Sequence, residues 1–256
     1  MLNAYKKREF AQLVQIFAET CFERNRKMLR YNIIEKKNPR EIVLLKGRRC
    51  AWGKCTFCDY IDDNTENIEE AVKLNAEVLS HVSGKLGVLE VINSGSCFEI
   101  PKESLCQIKN IVHKKNIGKL FFESHWMYKE RLQEMRDYMG VPIVFKIGVE
   151  TFDNDFREKV LNKNAPFKTP EEVAAYFDSP CLMVGICGQT KEMIDRDIKI
   201  LKKYFKLGTV NVFTNNSTPI KRDEELVNWF MEKYAYLEDD PSVEVLYKNT
   251  DFGVGD

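Results

Sequence analysis

The sequence is short of net charge and of long apolar runs. Its 256 residues carry 39 Lys and Arg against 39 Asp and Glu, so the overall balance offers little attraction for a polyanion such as whole tRNA. No stretch approaches the roughly 18 apolar residues of a membrane span. The N-terminus shows no uninterrupted apolar segment after its first charges, so neither anchoring nor secretion is signalled and a cytoplasmic protein is expected. Linkers and low-complexity segments are also missing, which predicts a single domain over 1–256: a helical extension at 1–40, a core at 41–236, and a C-terminal strand and tail at 237–256. With 44% hydrophobic residues, a chain of this length buries a full core.

Cysteine, by contrast, is concentrated. Of eight cysteines, Cys21, Cys97, Cys106, Cys181 and Cys187 are scattered, whereas Cys50, Cys55 and Cys58 fall within nine residues, directly after the apolar run Ile42 to Leu45. That distribution is no disulfide framework. Thiolates at such spacing converge on one metal centre without long-range folding, and three of them leave a fourth coordination position open.

From Ile42 onward, apolar runs alternate with helical patterns. Strands are predicted at 42–45, 86–92, 120–122, 143–148, 182–187 and 209–213, with a short extra strand at 243–247. Helices are predicted at 66–82, 101–115, 127–139, 153–162 with 169–177, 190–206 and 221–236. Thr169, Thr190 and Asp153 stand as candidate N-caps. Six tandem strand-helix units imply an α/β fold with a parallel sheet. Ligands in such folds sit at the carboxyl ends of the strands. In the first forty residues Phe10, Leu13, Val14, Phe17 and Cys21 recur at helical spacing. Ten basic residues against four Glu make that segment locally basic, but the charges are interleaved, as on a solvated helix face.

A tandem strand-helix chain whose first core strand ends in a three-cysteine loop resembles the radical S-adenosylmethionine superfamily, over roughly Ile42 to Phe213. The family motif has three residues between its first two cysteines and this loop has four; the two-residue gap from Cys55 to Cys58 and the aromatic Phe57 conform. The resemblance implies a partial (β/α)6 barrel with the N-terminal helical extension. It further implies that Cys50, Cys55 and Cys58 hold three irons of a 4Fe-4S cluster while S-adenosylmethionine chelates the fourth, and that an external donor such as flavodoxin or ferredoxin reduces the cluster. By the same resemblance, Ser94, Gly95 and Ser96 receive the methionyl amino group and Glu150 binds the ribose hydroxyls. Phe57, Tyr60 and Gly188 lie in segments that contact the cofactor.

The compact size and the four-residue spacing resemble, within that superfamily, the queuine lyases of deazaguanine salvage. That implies a small-molecule substrate with a 7-deazaguanine base and release of 7-aminomethyl-7-deazaguanine by C–N cleavage. Glu123 and Asp251 are the candidate carboxylates for the substrate's N–H edge, because an ionised carboxylate accepts and never donates. Glu123, His125 and Lys146 are the candidate catalytic groups. His125 stands at a strand end and titrates near neutrality, and Lys146 lies in an apolar strand where a charge needs a partner. No membrane or nucleic-acid partner is expected. The alternatives are a tRNA-modifying radical enzyme, favoured only by the basic N-terminal segment; an electron carrier with Cys97 as fourth ligand; and a zinc protein. For zinc the nearest His is His81, inside a helix pattern.

Overall fold

The computed structural model describes residues 28–255. Eight strands form one sheet in sequence order: β1 (Tyr31–Ile34), β2 (Arg40–Leu45), β3 (Val88–Asn93), β4 (Lys119–Glu123), β5 (Ile143–Glu150), β6 (Ser179–Val184), β7 (Gly208–Val212) and β8 (Val243–Leu246). β1 runs antiparallel to β2, and every later pairing is parallel. The expected partial parallel barrel is therefore present, with the short C-terminal run completing it as a seventh parallel strand.

Two departures are instructive. The helical pattern at Phe10 to Cys21 lies outside the described residues, but 31–34, assigned with it to a helical extension, is a strand. Tyr31, Ile33 and Ile34 are aromatic and β-branched, and β2 supplies an edge for them to pair with. The helix expected at 153–162 is only a π turn, Phe156–Val160, because the chain turns back at Asn162 and Asn164, both left-handed at φ 50° and 54°.

Helices cover one face. They are α1 (Ile68–Ser80), α2 (Lys102–Lys114), α3 (Leu132–Met139), α4 (Pro170–Ala174), α5 (Lys191–Tyr204) and α6 (Glu224–Lys233). Thr169 and Thr190 accept from the amides of Glu172 and Met193, as helix caps do. Asp153 accepts from Phe156 N at 2.9 Å and so opens the π turn. Under the helices pack alternate strand residues: Leu89 and Val91, Leu120 and Phe122, Phe145 and Ile147, Leu182 and Val184, Val210 and Val212. Alternation then turns Glu90, Glu123, Lys146, Cys181 and Glu244 to the inner face.

That inner face is charged rather than apolar. Arg40 Nε lies 2.5 Å from Glu90 Oε2, Lys146 Nζ lies 2.7 Å from Glu90 Oε1, and Arg40 reaches across to Glu244 at 2.7 Å. The last contact crosses the gap between β2 and β8, which do not pair with each other. An ion pair thus links β2 to β8 across a gap that no strand pairing closes.

Candidate active site

The cysteine loop follows β2 and sits at the carboxyl rim. Cys50, Cys55 and Cys58 are free thiols, each half-buried. Phe57 turns inward against Phe156, Leu161, Met183, Ile186 and Phe213, with Cys55 and Cys58 packed beside this cluster.

Two segments clasp the loop. On one side, Thr56 donates through N and Oγ1 to the carbonyls of Leu161 and Val160, Trp52 Nε1 donates to Asn162 O, and Asn162 Nδ2 donates to Lys54 O at 2.7 Å. The left-handed asparagines noted above are what bring this segment back under the loop. On the other side, Asn216 Nδ2 donates to Phe57 O at 2.8 Å and to Asp59 Oδ1.

A buried carboxylate joins the loop to the next strand end. Glu99 Oε1 accepts from Ala51 N at 2.8 Å and Oε2 accepts from Ser96 N at 2.7 Å, while Tyr128 OH donates to Oε1. Ser96 Oγ accepts in return from Phe98 N, closing a capping box around Ser94-Gly95-Ser96. A Cβ on Gly95 would come within 2.1 Å of Glu99 Oε2, so only glycine fits there. Sequence reasoning missed Glu99, although the Ser96-x-x-Glu99 spacing was its signal.

Glu150 closes β5 in an uncommon conformation. Its φ is +62°, the strand register shifts between Gly148 and Glu150, and its Oε1 lies 2.6 Å from Lys163 Nζ. Burial works against the charge on Lys163, but the Glu150 carboxylate overcomes it and raises its pKa. Lys163 Nζ also stands 5.5 Å from the Phe57 ring centroid. Nothing in the sequence singled out Lys163, since a lysine in a polar loop carries no pattern.

Lys146 is buried on the inner face as its strand position required, and its partner is Glu90. Glu123, its register neighbour on β4, is half-buried and makes no hydrogen bond or ion pair among the described residues. Burial raises the Glu123 carboxyl, Lys146 opposes that, and Glu90 and Glu150 add repulsion.

His125 is fully engaged. Its Nδ1 accepts from Met127 N at 3.3 Å, so the ring proton lies on Nε2, which donates to Lys163 O at 2.9 Å. Burial, with the Lys163 ammonium nearby, lowers its pKa to about 4. An imidazole so held is neutral at neutral pH, with both ring nitrogens engaged within the protein.

The remaining expected residues are more open. Tyr60 and Gly188 are exposed at the rim, and Gly188 has φ 94°. Asp251 is exposed, and its Oδ2 accepts from Tyr247 N and Lys248 N, so the carboxylate serves its own turn.

The donor set fits an iron–sulfur cluster. Gly53 N–H already points at Cys50 Sγ at 3.4 Å, the kind of N–H to sulfur contact that tunes such clusters. Burial pushes the Cys55 thiol up to about 12 against the pull of Lys163, so ionisation requires the charge of bound iron. Cys97, the possible fourth ligand of an electron carrier, is fully buried in the main core beneath the helices.

Comparison with known proteins agrees with this geometry. No family model matches the chain. Among curated proteins, an uncharacterized protein of Methanocaldococcus jannaschii is 27% identical over 144 residues, which is 47% of this chain and 38% of that protein, so the chain matches well under half the length of this relative. Among solved structures, a radical SAM methyltransferase from Sphaerobacter thermophilus shares the fold at 14% identity and a TM-score of 0.56, covering 82% of this chain and 67% of its own. A queuine lyase from Clostridium spiroforme, bound to SAM and queuine, superposes with a TM-score of 0.89 at 53% identity, covering 90% of this chain and 100% of its own. With that identity over that coverage, on a fold whose first parallel strand delivers Cys50, Cys55 and Cys58 to the rim, the chain belongs to the queuine lyase family of radical S-adenosylmethionine enzymes.

Proposed function

We propose that the protein cleaves the C–N bond of queuine to release 7-aminomethyl-7-deazaguanine, using S-adenosylmethionine and a 4Fe-4S cluster. The observation that carries this reading is a clasped three-thiol loop at the carboxyl rim of a barrel whose inner face holds Glu123, a carboxylate with no hydrogen bond or ion pair from a side chain among the described residues. The likeness to the Clostridium spiroforme lyase bound to SAM and queuine supports it.

The roles follow from position. Cys50, Cys55 and Cys58 hold the cluster. When bound and reduced, the cluster supplies the electron that splits the cofactor's sulfonium and so starts hydrogen abstraction from the substrate. The Ser94-Gly95-Ser96 turn, fixed by Glu99, presents backbone and hydroxyl acceptors to the methionyl ammonium. Glu150 has one carboxylate oxygen on Lys163 and the other without a hydrogen-bond partner among the described residues, which suits it to accept from a ribose diol. Phe57 holds the apolar floor under the loop, while Tyr60 and Gly188 flank the cofactor at the rim.

Deeper in, Glu123 faces the substrate's amine or N–H edge, its carboxylate pushed toward the protonated form until a donor arrives. Lys146 keeps the inner face neutral around it by pairing with Glu90. Asp251 reaches the substrate only by releasing the amides of Tyr247 and Lys248. The electron donor is an external flavodoxin or ferredoxin, and the reaction is cytoplasmic; among the described residues no helix is long and apolar enough to cross a membrane.

The test is anaerobic reconstitution with iron and sulfide, reduction, and incubation with S-adenosylmethionine and queuine. Wild type should form 5'-deoxyadenosine and 7-aminomethyl-7-deazaguanine together, and Cys55→Ala should lose bound iron and both products. Consumption of tRNA instead of free queuine would replace this reading with a tRNA-modifying one.

A further inference from the structure

The half-barrel has an open seam, because β1 and β8 are its two edges and do not pair. The C-terminal tail crosses it. After β8, Asp251 ties the turn through the amides of Tyr247 and Lys248, and the chain then runs back to β1. There Asn32 Nδ2 donates to Phe252 O at 2.9 Å, and Leu29 and Gly255 exchange backbone hydrogen bonds at 3.1 and 2.7 Å. Val254 is buried against Ile42 and Leu44, both on β2. Gly253 permits the turn: its φ is +74°, and a Cβ there would come within 2.1 Å of Asn32 Nδ2.

The tail delivers one side chain to the inner face. The Phe252 ring lies 5.0 Å from the Arg40 guanidinium and 5.2 Å from Lys146 Nζ, the two cations that sandwich Glu90. Lys146 is the register partner of Glu123, so the ring is separated from the free carboxylate by one side chain. Phe252 is partly buried.

We propose that Phe252 is a specificity-determining wall of the substrate chamber: the strapped tail closes the seam, sets the chamber's side and floor beside Glu123, and confines it to a free small molecule rather than a base still attached to RNA. This rests on the lyase reading above. Two cations on the ring hold it in place more firmly than packing alone, since each desolvated cation–π contact adds to the burial of the ring.

The proposal is tested with reconstituted full-length enzyme and two substitutions that act differently. Phe252→Ala removes the wall, and Gly253→Ala displaces the strap while keeping the ring. Both should raise KM for free queuine about tenfold, the loss of one well-packed aromatic contact, with kcat within about threefold of wild type. The affinity for S-adenosylmethionine, measured separately by calorimetry, should be unchanged. Phe252→Leu, which restores apolar volume, should recover most of the loss, and this guards against a folding defect in the alanine variant. Unchanged KM in both alanine variants, or a fall in kcat alone, overturns the wall. Wild type acting on a tRNA-borne base overturns the confinement. Wild type consuming neither form overturns the lyase reading and the wall that depends on it.

Discussion

Lys163 Nζ lies 2.6 Å from Glu150 Oε1, with the two side chains 12% and 6% exposed, and this pair joins the segment that clasps the cysteine loop to the carboxyl end of β5. Removing one member leaves a buried charge without its partner. Lys163→Met should therefore lower unfolding free energy by about 3 kcal/mol, as single deletions from buried pairs do, and weaken S-adenosylmethionine binding as well. The double variant Lys163→Met with Glu150→Gln should regain most of the stability and none of the binding. Urea unfolding and calorimetry separate the two effects.

Glu123→Gln should stabilise the protein at neutral pH while abolishing turnover. The folded-state pKa of Glu123 is raised by burial, so the native protein holds a proton more readily than the unfolded chain does. Its contribution therefore falls as pH rises above the ordinary carboxylate value, and the amide variant escapes that loss. A gain on the order of 1 kcal/mol at pH 7, vanishing below about pH 4, is the expected result of urea titrations at several pH values.

His125 gives the opposite pH dependence. Its pKa is lowered to about 4 by burial, so the unfolded chain binds its proton first as pH falls below the ordinary histidine value near 6.5. The stability it contributes is complete above about pH 6.5 and is lost on acidification toward pH 4. His125→Gln should flatten that part of the stability profile. The pH profile of turnover in this variant separates two roles: an unchanged shape assigns the imidazole to holding the Lys163 carbonyl, and loss of one limb assigns it to proton transfer.

Glu99 predicts a different kind of defect. It accepts from Ala51 N, Ser96 N and Tyr128 OH, and so links the cysteine loop to the Ser94-Gly95-Ser96 turn. Glu99→Ala strands the buried Ser96 amide and frees the more open Ala51 amide, at a cost of about 1 to 3 kcal/mol. Iron should then be lost faster to a chelator, although every cysteine remains. Iron release followed by absorbance tests this, and release at the wild-type rate would contradict it.

What the sequence by itself determined is what repeats or lies close along the chain. The alternation of apolar runs and helical patterns carried the parallel sheet, and nine residues carried the three thiols, because period and short spacing are local properties. The run at 243–247 was visible as a strand for the same reason. β1 escaped because four residues beside a basic segment hold too few side chains to set a period.

Only tertiary structure decided the partners. Lys146 could be read as a charge needing a counter-ion, but that it is Glu90, 56 residues earlier, depends on strand register. The same holds for Lys163 beneath the thiols and Phe252 against Arg40: each contact joins segments that the fold brings together, and polar and aromatic residues in loops follow no sequence period that could announce it. The strands were legible as continuous apolar runs, whereas which of their carboxylates face inward, and that Glu123 among the described residues is left without an ion pair while Glu90, Glu150 and Glu244 have one, was decided by register and by the ion pairs of its neighbours.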